Sequence, residues 1–162
     1  MQPFPGAGDT LPDVLLQDLQ ELVDWDNNAQ LTWTPMDAPT GDPVDATEER
    51  WFRVRFSSTG RSFGLRLEFT LPAAAAERYL RAVLPAHLDV TECVPGRRAA
   101  VELGYRKLSE LRAMLPRTAR TCARLLAEFW GVTDPEEVLL HGPEYQDVLL
   151  DTSFPHLPAY RE

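Results

Sequence analysis

The chain has 162 residues, of which 44% are hydrophobic and 25% charged. That composition excludes wholesale disorder and collagen, and the length is enough for one domain with its own core. The net charge is −9, but it is unevenly laid out: residues 1–50 carry eleven acids and one base, residues 51–132 seven acids and fourteen bases, and residues 133–162 seven acids and one base. Two readings of this basic middle stay open. Either the acidic ends pack over or screen it, or it meets an acidic partner. Fifteen of the sixteen bases are Arg and only Lys107 is Lys.

The first predicted element is a helix. Thr10 and Asp13 form a capping-box pattern, Pro12 sits in the first turn, and Leu15, Leu19, Leu22 and Val23 line one face. Asp24, Asp26, Asn27 and Asn28 end it. A short strand follows, with Leu31 and Trp33 on one side and Thr32 and Thr34 on the other. Residues 35–49 hold three prolines and five acids without periodicity, which predicts an acidic loop.

Residues 51–70 predict a hairpin. Phe52, Val54 and Phe56 alternate with Trp51, Arg53 and Arg55, and Phe63, Leu65, Leu67 and Phe69 alternate with polar positions. Residues 57–61 make the turn. With Phe56 opposite Phe63, Arg53 falls opposite Arg66, an unfavourable like-charge pair that something acidic should offset. A second helix is predicted after Pro72, with Tyr79, Leu80, Val83 and Leu84 as its apolar face and Pro85 as its stop. Residues 89–106 predict a second hairpin turning at Pro95-Gly96, a pair that suits a type II turn.

A long third helix is predicted to end at Trp130, capped by Gly131. Pro116 is expected to open its main part after a short preceding turn, because a proline inside a helix costs about 3 kcal/mol. Ala119, Cys122, Leu126 and Phe129 form its buried stripe, while Arg117, Arg120 and Arg124 share another face. Residues 133–137 read as a helix start with acids on the positive end of the dipole, giving a short fourth helix broken at Gly142-Pro143. Residues 145–150 add one more helical stretch, and 154–158 an extended tail.

Chemistry-bearing motifs are sparse. His87, His141 and His156 have no metal-ligand spacing to a second ligand, and His141 reads as a loop residue. No phosphate-cradling loop and no nucleophile elbow is present. Cys93 and Cys122 read as small buried hydrophobes rather than a disulfide framework. No cofactor and no metal is expected. No apolar run reaches the roughly 18 residues of a membrane span, and residues 1–5 do not resemble a signal peptide, so a cytoplasmic protein is expected. A basic sheet face with Trp51 as a stacking ring would suit nucleic acid, but a net charge of −9 opposes a polyanion.

The order helix, three strands, helix, two strands, long helix, over about residues 11–131, resembles the class I type III secretion chaperone fold and the related YbjN-like domains. The resemblance implies a dimer that binds an extended segment of a client protein without catalysis. The long acidic loop 35–49 and the extension 132–162 depart from the typical member. The sequence therefore predicts an α+β domain over 1–131, with an antiparallel sheet of about five strands and helices on one face, followed by a helical extension and tail over 132–162. The leading functional expectation is a non-enzymatic, chaperone-like protein- or peptide-binding module, a homodimer, with Trp51, Arg53, Arg55 and Arg66 on the outward sheet face as binding residues. A strand edge near residues 29–34 would accept the client by backbone pairing. Two other classes remain: a small acidic immunity or antitoxin-type protein that neutralises a basic partner through residues 35–49, and an enzyme whose site assembles from scattered residues.

Overall fold

A computed structural model describes residues 10–25, 28–36, 50–58, 61–71, 76–94 and 96–145. The acidic segment 37–49, His156 and the stretch after Tyr145 lie outside the described residues, as do the helix and tail expected there. The elements in chain order are α1 (Leu11–Trp25), β1 (Asn28–Pro35), β2 (Phe52–Ser58), β3 (Phe63–Thr70), α2 (Ala76–Val83), β4 (Asp89–Val94), β5 (Arg98–Tyr105), α3 (Leu108–Trp130), a 3-10 turn (Pro135–Glu137) and β6 (Val138–Tyr145). The fold is α+β, with the helices on one side of a six-stranded antiparallel sheet in the order β4-β5-β3-β2-β1-β6.

Local chemistry sets most boundaries. The Thr10 backbone N–H and hydroxyl both donate to Asp13 Oδ2, at 3.1 and 2.8 Å, and start α1. Leu11, Leu15, Leu19, Leu22 and Val23 then bury one stripe. The β2–β3 and β4–β5 hairpins form as their alternation predicts, and Gly96 at φ 74° completes a tight turn in which Arg97 N donates to the Val94 carbonyl at 2.9 Å. Leu31, Trp33, Phe52, Val54, Phe56, Leu65, Leu67, Phe69, Val101 and Leu103 face the helices and make the core. A chain of ring contacts, Trp33–Phe52–Phe69–Phe129–Tyr79, ties β1, β2, β3, α3 and α2 together.

Two expectations fail here. Pro116 does not open a helix: α3 runs unbroken through it. Leu111 and Leu115 before the proline and Ala119 and Cys122 after it bury into one core, and that shared burial outweighs the hydrogen bond a proline cannot donate. Residues 133–145 are not a fourth helix. The capping box is real, since Glu136 N donates to Asp134 Oδ1 at 2.9 Å and Glu137 Oε1 accepts from Asp134 N at 3.0 Å. It holds a single 3-10 turn, after which Val138–Tyr145 extends and pairs with β1. The part of the extension that is described is therefore a strand, and the sheet has six strands instead of about five.

Candidate functional site

Because side chains alternate along a strand, the residues opposite the core form a sheet face that none of the described helices covers. Trp51, Arg53, Arg55 and Arg66 gather on it, half-buried. The hairpin register is two residues tighter than Phe56 opposite Phe63 requires: Ser58 pairs with Phe63, Arg53 with Glu68, and Arg55 with Arg66. A like-charge pair does occur, between Arg55 and Arg66, and acids offset it. Arg66 Nε donates to Glu68 Oε2 at 2.8 Å, its terminal nitrogens reach Glu92 at 3.2 Å and Glu102, and Arg55 Nε lies 3.6 Å from Glu68. Partial burial acts to lower the Arg66 pKa, but the hydrogen bonds to Glu68 and Glu102 outweigh it and hold the pKa above its ordinary value. These pairs are about a third exposed, so each contributes roughly 0–1 kcal/mol.

Arg53 packs over the Trp51 ring at 5.3 Å. Next to it, one row crosses the whole sheet through paired residues: Asp89, Glu102, Arg66, Arg55, Gln30 and Glu144. Gln30 is only 5% exposed although it lies on this face. Its Nε2 donates to Glu144 Oε2 at 3.2 Å, while its Oε1 is buried without a hydrogen-bond partner. An orphaned buried acceptor costs on the order of 1–3 kcal/mol. Sequence reasoning missed Gln30, because nothing local marks a glutamine in a strand for burial.

The expected client edge at residues 29–34 is not an edge. β1 lies inside the sheet, between β2 and β6. β6 occupies the other side of β1, and among the described strands the sheet's two edges are β4 and β6. Among the described residues, the exposed large apolar side chains are Trp25, Met36, Leu139, Leu140 and Tyr145, from 38% to 65% exposed. Leu139, Leu140 and Tyr145 belong to β6, and the other two lie near its ends. Trp25, at the end of α1, contacts the Tyr145 ring at 4.7 Å, and Met36 N donates to the Glu137 carbonyl at 2.6 Å. Sequence reasoning placed none of them at a surface site, and it read Leu139 and Leu140 as part of a short helix started at 133–137.

His141 stands in β6, not in a loop, and shares a 3.0 Å hydrogen bond with Thr34. His87 lies in the α2–β4 connection as expected, 3.3 Å from the Thr118 hydroxyl. Burial, with the Arg117 charge, lowers its pKa. An open cleft of about 570 Å³ lies beside it, lined by Ser57, Gly64, His87, Asp89, Thr91 and Glu102. Thr91 and Glu102 there are already bonded to Arg66, and His87 to Thr118. Burial pushes the Cys122 thiol up, away from the thiolate a nucleophile needs, while Cys93 is half-buried. Among the described residues no group of three or more His, Cys, Asp or Glu side chains is placed to hold a metal ion.

Asp18 is a second buried polar group without a sequence signal. It sits on the core stripe of α1, and Trp33 Nε1 donates to its Oδ2 at 2.9 Å. Burial raises its pKa to about 6 against the lowering effect of that hydrogen bond.

No family model, curated protein or solved structure matches the chain. No described helix is long and apolar enough to cross a membrane.

Proposed function

We propose that this chain is a non-enzymatic protein-binding module that holds an extended segment of a partner protein at the β6 side of its sheet, as a chaperone holds a client. The observation that carries the reading is the collection of Trp25, Met36, Leu139, Leu140 and Tyr145 at one sheet edge. Scattered exposed apolar residues need no explanation, but five on and around one edge strand, among the described residues, support an interaction surface. Edges also offer backbone donors and acceptors, which an extended segment pairs with irrespective of its sequence. The net charge of −9 favours a basic partner and makes its association rate salt-sensitive.

A panel of short synthetic peptides, each titrated against the full chain by fluorescence anisotropy, tests this. The expected outcome is binding of peptides with alternating apolar residues, weakened about tenfold by Trp25→Ser combined with Met36→Ser. Those two side chains flank β6 without belonging to it. Failure of every peptide to bind, or equal binding by the double variant, overturns the reading.

A further inference from the structure

We propose that β6 is a resident stand-in for the partner's segment, and that the partner binds by displacing β6 and pairing with β1 itself. The proposal rests on the protein-binding reading above and specifies its site and ligand.

The two strands that meet at this interface are unequal. β1 is built into the core, with Ala29, Leu31 and Trp33 fully buried, and it pairs with β2 without interruption. β6 is mostly exposed along its length, so little apolar burial holds it in place. Among the described residues its attachments are the backbone ladder, Thr34 with His141, Gln30 with Glu144, the Trp25–Tyr145 ring contact and Val138 against the core. A ladder is available to any extended segment.

The fit of β6 to β1 is also imperfect. The register slips between Gln30 and Thr32. At the slip Gly142 adopts φ 105°, and a Cβ there would stand 2.9 Å from the Gln30 carbonyl oxygen and 3.2 Å from Leu31 Cα. Pro143, next in line, has no N–H to give to the ladder. The side chain of Gln30 is left half-satisfied, because the Glu144 carboxylate only accepts while Gln30 presents both a donor and an acceptor. A carboxamide at that place can donate and accept together.

These features define the ligand. It is an extended segment with apolar residues opposite Pro35, Trp33 and Ala29, where Val138, Leu140 and Tyr145 now stand. It carries Asn or Gln opposite Gln30, and runs without the slip that β6 needs.

The test uses full-length protein and fluorescent peptides copying residues 138–145, one with the native sequence and one with Glu144→Gln. Two protein variants act on the resident strand in opposite directions. Gly142→Ala weakens its seating without altering the side chains of β1. Thr34→Cys with Leu139→Cys, a cross-strand pair, locks it when oxidised, in a Cys93→Ser background. Displacement predicts about tenfold tighter peptide binding by Gly142→Ala, no binding by the oxidised lock, and recovery on reduction. The Glu144→Gln peptide is expected to bind a few-fold tighter than the native one.

Binding that survives the oxidised lock overturns displacement and leaves the protein-binding reading standing, since the peptide then adds outside β6. No binding by wild type and Gly142→Ala alike overturns displacement, while the peptide panel separately decides the broader reading. A doubled light-scattering mass for Gly142→Ala overturns the choice of occupant, because a second copy then supplies the strand. If Gly142→Ala lacks the wild-type circular dichroism, the lock and its reduction decide alone.

Discussion

At one edge of the sheet β4 is six residues long, joined to its neighbour β5 by a tight turn, and studded with charge: Glu92 lies 3.2 Å from both Arg66 and Arg98, and Asp89 is exposed. At the other edge β6 is eight residues long, reaches its neighbour β1 only through long-range pairing, and shows large apolar side chains to solvent. The first edge has the charge and brevity that discourage further pairing. The second is longer, and beside Pro143 and Glu144 it leaves large apolar side chains exposed. The protein-binding proposal rests on that difference in apolar exposure between the two edges.

Four tests break or sharpen this contrast. The largest effect is expected from Trp33→Ala, which empties a fully buried site under β6 and strands the Asp18 acceptor. A loss of about 3–5 kcal/mol is expected in urea denaturation, against about 1 kcal/mol for Val90→Ala at the half-buried β4 position. Equal losses would show that the core does not lean on the β1 side.

Gly142→Ala comes next, at about 1–3 kcal/mol, from positive φ and backbone crowding. Hydrogen exchange should quicken over Val138–Tyr145 and leave Asp89–Val94 unchanged. Loss of protection at both edges would mean that the sheet opens as one unit.

Asp18 gives the third test, again on the β1 side. Its pKa is about 6 in the folded chain against an ordinary 3.8, so the folded state binds the proton more tightly. Stability from this group is fully present below about pH 4, falls as pH rises through 6, and then levels, a change on the order of 3 kcal/mol. Asp18→Asn keeps an oxygen for Trp33 and should flatten the slope between pH 4 and 6 in thermal unfolding; an unchanged slope would assign it to other groups.

The smallest effect is Arg66→Met, about 1 kcal/mol after solvent screening, since Arg66 is partly exposed. It should loosen the β3–β5–β4 side of the sheet and leave β6 unchanged, and the difference from wild type should shrink in high salt. A loss that salt leaves intact would show that Arg66 acts through packing.

Much of the fold was legible because its signals are local. The Thr10–Asp13 box, the alternation through Phe52–Phe56 and Leu65–Phe69, and Gly131 after Trp130 each specify an element within a few residues. What escaped depends on distant partners. Leu139 and Leu140 after a capping box fit a helix or a strand equally well, and the strand wins only because β1 offers an open side. Pro116 signals a break unless the burial of Leu115 and Ala119 is known. The four residues proposed for binding do share a face, as their parity requires. Parity does not reveal that Arg66 meets Glu68, Glu92 and Glu102 inside the chain, nor that the apolar surface collects instead around Trp25 and Tyr145.

The sheet order has a consequence in time. Thr34 and His141, which bond to each other across β1 and β6, are 107 positions apart. A ribosome adding about 5–20 residues per second needs roughly 5–20 s to cover that distance. Throughout that interval the nascent chain holds β1 without the strand that later covers its outer side, so its exposure to misassembly is greatest during its own synthesis.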